Sequence, residues 1–129
     1  MNNELLVGKR ILVVEDEMLV MMSIEYMLSE LGGTSITMAA TVDQALGAIA
    51  QQVFDVAMLD LNLDGNRSYS VAKSLSMHEI PFAFSTGYGE RAIDELYRQR
   101  PVLNKPYTLN QLNLALTTLL ASPTSQTVS

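Results

Sequence analysis

Short apolar runs alternate five times with segments of helical spacing along this chain, and that alternation admits few folds. The runs lie at residues 11–14, 36–39, 56–59, 81–84 and 102–103, each bounded by turn or polar residues. They are short and not strictly alternating, the pattern of strands covered on both faces. Between them, Val20, Ile24, Met27, Leu28 and Leu31 mark one face of a first helix, which Gly32-Gly33 ends. Thr41-Val42-Asp43-Gln44 is a capping-box pattern opening a second helix, with Val42, Ala45, Leu46 and Ile49 facing inward. Val71, Ala72 and Leu75 predict a third helix, and Ala92, Ile93, Leu96 and Tyr97 a shorter, more polar fourth. Thr108-Leu109-Asn110-Gln111 is another capping box, followed by a core stripe of Leu109, Leu112, Leu116 and Leu119. The whole predicts a (βα)5 doubly wound, five-stranded parallel sheet with helices on both faces.

A length of 129 residues suits one domain, placed here over residues 1–121, with the Ser/Thr-rich stretch 122–129 as a frayed tail. Hydrophobic residues at 48% against 17% charged indicate a globular chain rather than a disordered one. A formal net charge of −6, with only 8 Lys and Arg and no run of them, argues against the basic patch that a nucleic-acid surface needs. Without cysteine there is neither a disulfide framework nor a thiolate metal site. The start lacks a basic region ahead of an apolar stretch, and no apolar run approaches the ~20 residues that span a bilayer. The expectation is a soluble, cytoplasmic protein with no membrane partner.

In such a sheet the C-terminal strand ends line one edge, and ligands bind there. Four of the apolar runs end in chemistry. Glu15-Asp16-Glu17 follows the first, Asp60-Leu61-Asn62 the third, Ser85-Thr86-Gly87 the fourth and Asn104-Lys105-Pro106 the fifth. Two acids, a third acid, a hydroxyl and a lysine would then converge on one crevice. Crowded carboxylates repel one another and a divalent cation relieves that repulsion. The set suits a carboxylate that accepts a phosphoryl group with help from a metal ion, with Asp60 as acceptor.

These positions resemble the receiver domain of bacterial response regulators, over residues 9–121. The family pattern is an acidic pair after the first strand, an aspartate after the third, Ser/Thr after the fourth and Lys-Pro after the fifth. Glu15-Asp16, Asp60, Thr86 and Lys105-Pro106 supply it in order. The resemblance implies a flavodoxin/CheY-like fold and a two-component switch rather than an enzyme, working in a phosphorelay. Asp60 would take its phosphoryl group from a histidine kinase and become an aspartyl phosphate. It implies Mg2+ held by Asp16, Asp60 and the backbone carbonyl of Asn62, with Glu15 acting mainly through a water. Lys105 and the metal would neutralise charge on the transferring group. Thr86 would bind a phosphoryl oxygen and draw its loop inward, Gly87 would leave room beside it, and the Lys105-Pro106 bond is often cis in the family. Asn62 and Tyr88 would flank the path of an attacking water and tune the phosphoryl lifetime.

One position departs from the pattern. Most receivers carry Tyr or Phe three residues before the lysine, and here that residue is Val102. Pro81-Phe82-Ala83-Phe84-Ser85-Thr86-Gly87-Tyr88-Gly89 instead resembles the subgroup called FAT GUY receivers, with Ser85 for the usual Ala and Tyr directly after Gly. In that subgroup the aromatic switch is missing and the kinases are often of the HWE type. Tyr88, flanked by glycines, is the candidate to take over the signalling role.

Plainer readings stand beside these. Glu17 is a helix-start acid, Asp64-Gly65 a turn without chemistry, Tyr107 packing beside Pro106, His78 a loop residue without a relay role, and Met18, Met21, Met22 and Met27 gap-fillers of the first helix. Part of that methionine cluster is left as a surface for a kinase helix. The competing functions are a degenerate receiver acting only as an interaction module, a flavodoxin-like carrier, and a haloacid-dehalogenase-type phosphatase. The intact acids and lysine argue against the first. Glu15-Asp16-Glu17 would repel the phosphate that the carrier binds after its first strand. The phosphatase needs an Asp-x-Asp after that strand, whereas here the acceptor follows the third.

Overall fold

The computed structural model describes residues 4–87 and 100–121. In chain order its elements are β1 (Arg10–Val14), α1 (Met18–Glu30), β2 (Ser35–Ala39), α2 (Val42–Gln51), β3 (Val56–Asp60), β4 (Asn62–Leu63), β5 (Asn66–Arg67), α3 (Tyr69–Met77), β6 (Phe82–Thr86), β7 (Val102–Asn104) and α4 (Leu109–Ala121). Five strands form one parallel sheet in the order β2-β1-β3-β6-β7. The chain goes from β1 to one side and then crosses to the other, so the sheet splits between β1 and β3 and opens a crevice at their C-terminal ends. The predicted fourth and fifth strands are β6 and β7, and the predicted last helix is α4. The predicted fourth helix, Tyr88 and the tail lie outside the described residues.

Strand side chains alternate between two cores, as the pleat requires. Ile11, Val13, Val56, Met58, Ala83 and Leu103 pack under α1 and α4 with Ile24, Leu28, Leu112 and Leu116. Leu12, Val14, Ala57, Leu59, Phe82 and Phe84 pack under α2 and α3 with Ala45, Ile49, Val71 and Leu75. Both faces are covered, which explains the unbroken apolar runs. Three strands, β3, β6 and β7, continue past those runs, because backbone pairing does not stop where side chains turn polar. Asp60 pairs with Ser85, and Thr86 with Asn104. Asp60 and Thr86 are therefore the last residues of their strands rather than the first beyond them.

The helix ends follow local chemistry. Gly32 takes φ 92° after α1, its N–H donating to Ser29 O at 3.0 Å and that of Gly33 to Leu28 O at 2.9 Å. At α4, Thr108 and Gln111 exchange side-chain-to-backbone bonds of 2.8 and 3.1 Å. At α2 the box is displaced. Thr41 Oγ1 caps Gln44 N, but Gln44 Oε1 accepts from Ala40, one residue before the cap. Leu109, predicted to be core, is 38% exposed because it opens α4 at the sheet's rim. The gap-filling role fails for part of the methionine cluster. Met18 and Met22 are 71% and 56% exposed, and Leu19 and Tyr26 stand in solvent with them, while Met27 packs partly against the core. His78 caps the end of α3, its Nδ1 at 2.9 Å from Ser74 O. Among the described residues no helix is long and apolar enough to cross a membrane.

Candidate phosphoryl and metal site

The crevice between β1 and β3 collects the predicted acids. Val14 ends β1, so Glu15 and Asp16 fall in the turn before α1, and Asp60 ends β3. Carboxylate oxygens of Glu15, Asp16 and Asp60 all lie within 4.8 Å of one another. Glu15 and Asp60 are buried and Asp16 is exposed. An all-oxygen set of this density, open to solvent at one acid, fits a hard divalent cation such as Mg2+.

Lys105 reaches the acids from the turn after β7. Its Nζ is 3.1 Å from Asp60 Oδ2 and 3.3 Å from Glu15 Oε1. The Lys105–Pro106 bond is cis, and the Lys105 N–H donates to Thr86 O at 2.9 Å. Asp60 Oδ1 accepts from the backbone N–H of Asn62 at 3.1 Å, and Glu15 Oε2 from that of Glu17 at 3.1 Å. Burial, and then the charge of Asp60, push Glu15 from its ordinary 4.5 up to about 7, against the pull of the Glu17 N–H and Lys105. For Lys105, burial opposes the charge. The hydrogen bonds and charges of Asp60 and Glu15 outweigh it, and the ammonium is held more firmly than usual.

An open cleft of about 400 Å3 lies over these groups, lined by Asp16, Glu17, Asp60, Asn62, Asp64, Gly65, Gly87 and Lys105. Thr86 is buried at the end of β6, next to Gly87, and does not line the cleft. Among the described residues, a Cβ at Gly87 would meet nothing within 4 Å. Val102 stands away from the cleft at the sheet's edge, half-buried against the α2/α3 core and paired with Phe84.

The sequence reading missed the hairpin that walls the cleft. β4 and β5 pair antiparallel with Asn62 opposite Arg67, joined by Asp64 (φ 52°) and Gly65 (φ 83°). Asp-Gly in a two-residue connection is the signal that could have found it. The turn also touches the site, since Asp64 N–H donates to Asp16 Oδ2 at 2.7 Å. Ser68, just past the hairpin, is fully buried. Its Oγ donates to Asp60 O at 2.6 Å and its N–H to Leu61 O at 2.9 Å, closing the segment on the candidate acceptor. Tyr107 is buried under α1 and α4, and its hydroxyl has no hydrogen-bond partner among the described residues. Burial raises its pKa above the usual tyrosine range, and the charges of Glu15 and Asp60 add to the effect.

Residues 11–117 match the model of the response regulator receiver domain. The chain belongs to that family. The receiver is similar over 93% of its length, and 99% of the other chain, to the solution structure of SdrG from Sphingomonas melonis Fr1, at 39% identity and a TM-score of 0.79. It is also similar to the receiver domain of sensor histidine kinase PA1611 from Pseudomonas aeruginosa PAO1. There the identity is 27% and the TM-score 0.77, over 90% of this chain and 100% of that one. That crystal structure has a magnesium ion coordinated in its active-site cleft. The sensory transduction protein LytT of Bacillus subtilis is 31% identical over 87 residues, covering 65% of this receiver. The receiver spans only 36% of LytT's length.

Proposed function

We propose that this receiver accepts a phosphoryl group on Asp60 from the phosphohistidine of a sensor histidine kinase. One observation carries the reading: the Lys105 ammonium spans Asp60 and Glu15 while the Asn62 N–H holds the other Asp60 oxygen. An Asp60 oxygen attacks phosphorus, the P–N bond to the kinase imidazole breaks, and the imidazole leaves. Asp60 becomes an acyl phosphate. Lys105 stays beside the new anion and offsets its charge. Thr86 hydrogen-bonds a phosphoryl oxygen and draws the end of β6 toward the cleft, and Gly87 leaves space for the group. Asp16, Asp60 and the Asn62 carbonyl would hold Mg2+, with Glu15 acting through a water. When bound, that ion supplies the positive charge that three crowded carboxylates and a transferring phosphoryl group require.

The run from Pro81 to Gly89, with Val102 in place of an aromatic residue, supports the reading that the receiver is of the FAT GUY kind and that Tyr88 takes the signalling role. The kinase is then of the HWE type. The exposed Met18, Leu19, Met22 and Tyr26 on α1, next to the cleft through Glu17, give the kinase helix an apolar face. The receiver acts in the cytoplasm as a non-enzymatic switch over residues 1–121. It signals by contact with a protein target or by passing its phosphoryl group along a relay.

The test is Mg2+-dependent reaction with phosphoramidate, read by intact mass. Uptake of one phosphoryl group by the wild-type chain and none by Asp60→Asn is the expected result. Uptake by Asp60→Asn equal to wild type would move the acceptor elsewhere, and no uptake by either chain together with no Mg2+ binding would overturn the reading in favour of an interaction module.

A further inference from the structure

We propose that Arg67 is a positioning residue for the phosphoryl group's lifetime, acting by fixing which end of the Asn62 side chain faces the cleft. This rests on Asp60 as acceptor. The hairpin register sets Asn62 opposite Arg67, and Arg67 Nη1 donates to Asn62 Oδ1 at 2.5 Å. A guanidinium can only donate, so the amide atom facing it must be the carbonyl oxygen. With Oδ1 engaged on the solvent side, the NH2 group is what Asn62 has left for the cleft that it lines.

That orientation matters for hydrolysis. A water oxygen must attack phosphorus, the bond from phosphorus to the Asp60 oxygen breaks, and the carboxylate and inorganic phosphate separate, the water's proton passing to solvent. A water approaching in line is oriented by a group that accepts its hydrogen bond. The NH2 of Asn62 offers two donors and no acceptor, whereas a flipped amide would present Oδ1. Pinned by Arg67, Asn62 presents donors only and does not orient the water. Released, the amide turns over and does. The backbone reinforces the arrangement, because the hairpin tip is fixed through Asp64 N–H to Asp16 and its base through Ser68 to Asp60.

The test loads the full chain with phosphoramidate and Mg2+, removes the donor and follows decay of the adduct by intact mass. Arg67→Ala is expected to shorten the lifetime about two- to fivefold, the range of one exposed charged contact. Arg67→Lys, which keeps a donor, is expected to restore most of it. In an Asn62→Ala background Arg67→Ala is expected to change nothing further, which a merely structural role would not produce. The side-chain NH2 signals of Asn62 in unphosphorylated protein should also shift in Arg67→Ala. An unchanged lifetime in Arg67→Ala, or an equal change with and without Asn62, would overturn the inference. Absence of any wild-type adduct would instead strike the Asp60 reading, and this inference would fall with it.

Discussion

The backbone N–H of Asp64 donates to Asp16 Oδ2 at 2.7 Å across 48 residues of sequence, joining the hairpin tip to an acid of the cleft. The bond exists because Asp64 and Gly65 both take left-handed backbone, at φ 52° and 83°. Gly65→Ala meets no steric obstacle among the described residues, since a Cβ there would touch none of them within 4 Å, so its cost is conformational. A loss of about 1 kcal/mol in urea unfolding is expected. Calorimetric Mg2+ titration should show weaker binding than wild type, because Asp16 loses its fixed orientation.

Glu15 gives the metal-free protein a distinctive pH profile. Its folded pKa of about 7 lies above the ordinary 4.5, so the folded state keeps a proton that the unfolded chain has released. Stability is therefore full below about 4.5 and falls as pH rises toward and through about 7, by roughly 1–3 kcal/mol. In chelator, denaturant melts from pH 4.5 to 8 should show this decline, and Glu15→Gln should flatten it. Added Mg2+ should oppose the decline by favouring the ionised acid. A wild-type profile that rises over this interval in chelator would contradict the assignment.

Tyr107 carries a buried hydroxyl that gains no bond among the described residues. Removing it while keeping the ring leaves the packing against α1 and α4 intact. Tyr107→Phe is expected to be neutral or stabilising by up to about 1 kcal/mol in thermal unfolding. A loss larger than that would reveal a partner for the hydroxyl.

If the exposed apolar face of α1 is the proposed kinase contact, docking and chemistry separate there. Met22 is 56% exposed, and Met22→Glu is expected to change stability by less than about 0.5 kcal/mol. Phosphoramidate labelling should proceed as in wild type, while transfer from a phosphorylated kinase slows. Equal slowing of both reactions would place the effect in the cleft rather than on the helix.

Much of this molecule was legible because both levels of the sequence pointed the same way. Apolar runs at residues 11–14 and 56–59 specify strands, and the acids at their ends could only meet if those strands lay side by side and parallel. Asp64-Gly65 was read as an inert turn because its flanks, Asn62-Leu63 and Asn66-Arg67, are too short and too polar to carry strand periodicity. Its hairpin is fixed by backbone conformation instead. Met18 and Met22 misled for the opposite reason. Their apolar side chains sit on a helix whose buried stripe is already filled by Ile24 and Leu28, so burial could not be inferred from residue type. The Arg67–Asn62 contact has no signature in one strand alone and emerges only from the register.

Ser68 bears on how variants of this receiver will sort. It holds no charge and touches no substrate, yet its hydroxyl seizes the carbonyl of Asp60, the proposed acceptor, eight positions upstream. Ser68→Ala would leave that buried oxygen without its partner and let the end of β3 drift while the sheet survives. A genetic screen for silent receivers should therefore recover alleles at a plain serine alongside those at the acids. The fault of such alleles would be one of aim as well as of stability.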